Sequence, residues 1–141
     1  MGQQQLLLII LGVIIVGIAI AVGITMFSAQ SISANKDAIL SDINNIGADA
    51  FQHKIRPCAM GGGGGDYTGS ACTPTTQPYV LKATGAWGTN NPNADYITGT
   101  VIAATSVTVV ATSKAYSTST VTIVFDANGK GGTPVYTGQF L

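Results

Sequence analysis

The sequence predicts an α+β fold: a long N-terminal hydrophobic α-helix followed by a small antiparallel β-sheet head packed on the helix's C-terminal half. Three observations carry this. Leu6 to Phe27 is an unbroken run without one charged residue. The apolar residues Ile32, Ile39, Ile43, Ile46 and Ala50 recur at spacings that draw one stripe down a helix. Further on, Val107–Thr112 and Thr120–Phe125 alternate apolar and polar positions, the period of a half-buried strand. The expected organisation is a hydrophobic helix over 1–28, its amphipathic continuation over 29–56, and a β head over 57–141.

The apolar run LLLIILGVIIVGIAIAVGITMF has about the roughly 20 residues needed to cross a bilayer. A secretory signal would have a basic n-region, a shorter apolar core and a cleavage site of small residues. Met1-Gly2-Gln3-Gln4-Gln5 carries no Lys or Arg, and no Pro interrupts the chain until Pro57. One near-continuous helix from about Gln3 to about Ile55 follows, extending roughly 75–80 Å at the standard rise. Asp37, Asp42, Asp49 and Lys36 fall mostly off its apolar stripe. In the first half, Gly12, Gly17, Ala19, Ala21 and Gly23 interrupt the large side chains. Gly17/Ala21 and Ala19/Gly23 have the small-xxx-small spacing that lets helix backbones approach closely. The same glycines can be places where the helix bends, since each costs up to about 1 kcal/mol relative to Ala.

Pro57 ends the helix, because it lacks an N–H and disfavours helical geometry at Arg56. Gly61–Gly65 follow as five consecutive glycines. A phosphate loop would need Lys-Ser/Thr after it and a strand before it, and neither is present. The run reads as a flexible or closely packed connector flanked by Cys58 and Cys72. If the head lies outside the cytoplasm, these cysteines form a disulfide closing a short loop, worth on the order of 3 kcal/mol. Two free thiols are the alternative; two Cys alone rarely make a metal site. Strands are expected at about Tyr79–Ala83, Tyr96–Ala104, Ser106–Thr112, Thr118–Phe125 and Pro134–Phe140. Asp126-Ala127-Asn128-Gly129 is a turn between the last two, and Thr84–Asn93 is a loop.

Composition excludes several functions. Six Lys+Arg balance six Asp+Glu, with no Glu at all, and only 9% of residues are charged. Nucleic-acid binding needs clustered cations, so none is indicated. His53 is the only histidine, and with Lys54 and Arg56 it sits where cations complement the helix dipole. No Ser-His-Asp or Cys-His arrangement follows from spacing, so no catalytic residue is expected and the chain does not read as an enzyme. Asp66, Asp95 and Asp126 lie in Gly- or Asn-containing loops but form no calcium-ligand series. No cofactor or metal is expected. Trp87, Tyr67, Tyr79, Tyr96, Tyr116 and Tyr136 are assigned to head packing, subunit contacts or adhesion.

An uncharged N-terminal helix that continues into an amphipathic half, then a loop, then an antiparallel sheet, resembles the type IV pilin-like proteins. The resemblance covers the whole chain as architecture and is specific in the first 30 or so residues, Gly2-Gln3-Gln4-Gln5 followed at once by the apolar run. It implies processing by a prepilin peptidase between Gly2 and Gln3. It implies an inner-membrane stage, then transfer by an assembly platform and ATPase into an extracellular filament whose core is built from these helices. Many members carry a Glu five residues into the mature chain; here Leu7 stands there, so register must come from packing. The expected function is therefore a structural subunit of an extracellular type IV pilus-like filament, polymerising with itself and serving adhesion, motility or DNA uptake. The alternative is a bitopic membrane protein with a non-polymerising extracytoplasmic binding head.

Overall fold

The computed structural model describes residues 2–81 and 91–141. Helix α1 runs Gly2–Ile55 as a single 54-residue element. The chain divides into two compact units, one ending at Ala34 and the other running Asn35–Leu141.

In the first unit the backbone is helical from Gly2 onward and its side chains are exposed, with Ile32 alone half-buried. A helix satisfies its own backbone groups, so an apolar surface around it needs no polar partner.

The second unit holds the core. On α1 the buried residues are Ile39, Ile43, Ile46, Gly47 and Ala50, which is the expected stripe plus one glycine. They pack with the inner face of an antiparallel sheet. Its strands are β1 (Ala94–Asp95), β2 (Val101–Ile102), β3 (Val107–Ser113), β4 (Thr120–Phe125) and β5 (Val135–Tyr136). The order is β1-β3-β4-β5, with β2 also on β3. Val107, Val109 and Ala111 of β3 and Val121, Ile123 and Phe125 of β4 are buried, whereas Thr108, Val110, Thr112, Thr122 and Val124 face outward. In register, Val109 lies opposite Ile123 and Ala111 opposite Val121. The period-two reading of these two strands holds. So does the turn after β4, where Asp126 N–H donates to Lys130 O at 3.0 Å.

The remaining strands are shorter than the sequence predicts. Tyr96–Ala104 is not one strand. β1 and β2 pair with opposite ends of β3, Ala94 with Ser113 and Ile102 with Val107. Between them the chain loops out. Asp95 Oδ1 accepts the Ile97 N–H at 2.9 Å, and Gly99 adopts a φ of +98° that side-chain-bearing residues resist. Thr100 Oγ1 accepts the Val110 N–H at 3.2 Å, replacing the ladder bond the loop removes. Pro134–Phe140 is strand only at Val135–Tyr136 and closes with a 3₁₀ turn at Gly138–Phe140. Tyr79–Leu81 form no strand. Lys82, Ala83 and the part of the expected loop from Thr84 through Asn90, including Trp87, lie outside the described residues.

Candidate functional site

The first candidate is the surface of α1 before Ala34. Between Leu6 and Phe27 its large apolar side chains stand in the open, from Leu11 at 49% exposure to Phe27 at 77%. The stretch is long and apolar enough to cross a membrane, and none of it is buried within the chain. Gly12, Gly17 and Gly23 have no atom within 4 Å of where a Cβ would stand. Ala19 and Ala21 are likewise exposed, as are Gly2 and Gln3 in the first turn. Thr25 turns its hydroxyl back to Val22 O at 2.8 Å, so even this polar side chain asks nothing of its surroundings. Such a surface offers no directional chemistry. A helix of this length and composition is suited to membrane anchoring or to a signal sequence.

The second candidate is the collar at the C-terminal end of α1. A helix end leaves carbonyls without intrahelical partners. Here the glycine run supplies the donors: Gly63 N–H reaches His53 O at 2.8 Å, Gly65 N–H reaches Lys54 O at 2.9 Å and Gly64 N–H reaches Arg56 O at 3.1 Å. The approach leaves no room for side chains. A Cβ on Gly62 would stand 2.2 Å from Arg56 O, and one on Gly63 would stand 1.9 Å from Asp66 O. The connector is thus closely packed, and its function is capping. Cys58 and Cys72 are joined in a disulfide with Cα atoms 5.4 Å apart. Both sulfurs crowd the place where a Cβ on Gly64 would be, at 2.5 and 3.1 Å.

His53 lies beneath this collar. Its Nδ1 is buried with no hydrogen-bond partner among the described residues, and its ring leans on Tyr79 with centroids 5.7 Å apart. Burial, and then the Arg56 guanidinium, push its pKa below the ordinary 6.5; Asp49 and Asp66 oppose this weakly. The sequence reading counts His53 among the cations at the helix end; its burial there works against the charged form. Lys54 is such a cation: its Nζ donates to Ala127 O and lies 4.9 Å from the Tyr67 ring centroid. Asp49, His53, Arg56, Tyr79 and Val80 line a groove of about 160 Å³. The Tyr79 hydroxyl donates to Asp49 Oδ2 at 3.2 Å, and burial followed by the Asp49 charge raises its pKa well above the usual tyrosine range.

The loop aspartates serve their own loops. Asp66 accepts from Ser70 Oγ at 2.6 Å and Thr68 Oγ1 at 3.0 Å, and the Ser70 hydroxyl is the main reason its pKa falls to about 2. Asp126 accepts the Asn128 and Lys130 N–H groups at 2.8 and 2.9 Å. Among the described residues, no group of three His, Cys, Asp or Glu side chains could hold a metal ion. Asp42, expected off the stripe, is half-buried; its Oδ2 accepts from Asn91 Nδ2 at 2.7 Å, Asn93 Nδ2 at 3.1 Å and Tyr96 OH at 2.7 Å. The tyrosines Tyr67, Tyr79 and Tyr96 are core residues, as head packing requires.

The structure joins Cys58 to Cys72 but brings no other sequence-predicted site residue against a partner. Two residues carry more than the sequence reading assigns them. Gly47 is one: a Cβ there would stand 2.2 Å from Phe125 Cε1, so its missing side chain is what lets β4 lie against α1. Its position between Ile43, Ile46 and Ala50 was the available signal. Asp42 is the other, and nothing local marks it. The chain shows no match to a known family model, to a curated protein or to a solved structure.

Proposed function

We propose that this chain is the structural subunit of an extracellular type IV pilus-like filament that polymerises through its N-terminal helix. One observation supports this above the others: the helix up to Phe27 exposes its large apolar side chains all around, with none of the described residues covering them. Placed in water it would expose well over about 1,000 Å² of apolar surface, which at about 25 cal/mol per Å² is on the order of 25 kcal/mol. Lipid and a bundle of identical helices both remove that cost. Passage from one to the other is then nearly neutral in apolar solvation, which suits a subunit stored in the inner membrane and drawn into a filament by an assembly platform and its ATPase.

Gly2 and Gln3 flank the bond a prepilin peptidase would cut. Gly17/Ala21 and Ala19/Gly23 are the positions for close helix approach in the filament core. With Leu7 in place of a carboxylate, axial register rests on shape. The role is mechanical, in adhesion, motility or DNA uptake, and calls for neither cofactor nor catalytic residue.

The test is electron microscopy of sheared cell-surface material, with mass spectrometry of the filaments. Filaments containing this chain are the expected result. A strictly detergent-soluble monomer would overturn the proposal in favour of a bitopic membrane protein with a non-polymerising binding head. Intact mass of the filament subunit reads the loss of Met1-Gly2 directly.

A further inference from the structure

We infer that the Cys58–Cys72 disulfide is a redox latch on the glycine collar, closing the C-terminal end of α1 when oxidised and releasing it when reduced. The inference does not rest on the filament reading, because every contact it uses lies within one chain.

The collar is held by backbone hydrogen bonds, with Gly61 and Gly62 N–H groups donating to the Cys58 and Pro57 carbonyls at 3.0 and 3.2 Å. Gly63, Gly64 and Gly65 hold the helix end by three N–H bonds to His53, Arg56 and Lys54 carbonyls. None of these glycines has a side chain to anchor it, and glycine loses more freedom on ordering than any other residue. What closes the loop is the bond between Cys58, just past the helix, and Cys72, which is 2% exposed on the far side of the glycines. Gln77 adds one tie across the same loop, from its Nε2 to Cys58 O at 3.3 Å.

Beyond the collar the chain is pinned independently. Tyr67 N–H donates to Ala104 O at 3.2 Å and its hydroxyl to Asp126 O at 2.8 Å. Tyr79 N–H donates to Tyr67 O at 2.9 Å. These anchors and the β3–β4 core do not pass through the sulfurs. Breaking the disulfide therefore leaves the collar held by its hydrogen bonds alone, with the sheet still closed. The exchange balances simply. A dithiol reductant gives up two electrons and two protons, the S–S bond becomes two thiols, and the reductant leaves as a cyclic disulfide. Closure in the cell is the reverse, with a thiol–disulfide exchange protein as oxidant, so the collar locks only in an oxidising compartment.

The experiment is hydrogen exchange with mass spectrometry on the full chain in detergent micelles, oxidised and then treated with dithiothreitol. Cross-linking a loop of this size is worth at most about a hundredfold in closure. Reduction is expected to speed exchange in peptides covering 53–72 by about tenfold or more, to leave 107–125 unchanged, and to be reversed on reoxidation. Unchanged exchange at 53–72 in protein whose thiols are shown to be free overturns the latch. Equal loss of protection at 107–125 overturns it as well, since the disulfide would then hold the whole head. Because wild-type protein is used throughout, no variant's failure to fold can blur the reading.

Discussion

Replacing Gly47 by Ala should destabilise the head, although the same change improves helix propensity. The added Cβ would stand 2.2 Å from Phe125 Cε1 and 2.3 Å from Cζ, far inside contact distance. Phe125 is itself 3% exposed, so its ring has little free space to retreat into. Overpacking of this kind costs about 1–3 kcal/mol. The gain in helix propensity from Gly to Ala is at most about 1 kcal/mol. An approach of 2.2 Å places Gly47→Ala in the upper part of the overpacking range, so the net expectation is a loss of about 1–2 kcal/mol, and more for Gly47→Val. With a denaturant slope of about 1.5 kcal/mol per M, typical of a small domain in urea, the midpoint should fall by about 1 M. Urea unfolding of the full chain in micelles, followed by near-UV circular dichroism of the head's tyrosines, reads this. Gly17→Ala serves as the internal control, since its Cβ meets nothing within 4 Å in the single chain. A midpoint for Gly47→Ala equal to or above wild type would refute the claim that α1 and β4 are in contact through that glycine.

Asp42→Ala removes the one acceptor shared by Asn91, Asn93 and Tyr96. Losing this shared acceptor should cost about 2–3 kcal/mol, measured by the same urea titration, with Tyr96→Phe recovering part of the loss in the double variant. His53 titrates below its ordinary 6.5 because the folded collar buries it. The open form therefore binds the proton first; stability is whole above about pH 6.5 and falls as pH drops below it. Exchange at 53–65 should accelerate from pH 7.5 to pH 5, after correction for intrinsic rates, and His53→Gln should flatten the response. Gly17→Leu or Ala21→Leu should reduce filament yield while membrane insertion, followed by alkaline extraction, stays intact; an unchanged yield would count against close helix packing at those positions.

The parts of the fold legible in the sequence are those set by near neighbours. The helix follows from a run without Pro and from the stripe Ile39, Ile43, Ile46 and Ala50, whose burial needs only a 3.6-residue period. β3 and β4 follow from alternation, and the turn after β4 from Asp126 and Gly129. What failed depended on a distant partner. The strand expected over Tyr96–Ala104 is β-prone throughout, yet Asp95 and Gly99 divert it, and β3 accepts the diversion because Thr100 substitutes for a ladder bond. His53 looked like a helix-end cation until the glycine run folded over it. The fivefold glycine itself gave composition without purpose; its purpose is set by two carbonyls of α1, the Arg56 carbonyl just past it and two sulfurs.

One helix contains glycines under two opposite conditions, and the contrast bears on the proposed assembly. At Gly47 the missing side chain is matched at once by Phe125. At Gly12, Gly17 and Gly23 the missing side chains are matched by nothing among the described residues, although each glycine weakens an isolated helix by up to about 1 kcal/mol. A helix needed only as a lipid anchor gains nothing from three such positions, because lipid tails adapt to any surface and reward bulk as readily as its absence. A helix that must lie against rigid copies of itself does gain, since a groove between Ile and Val side chains admits a neighbouring backbone at closer range and strengthens dispersion contacts that lipid makes more loosely.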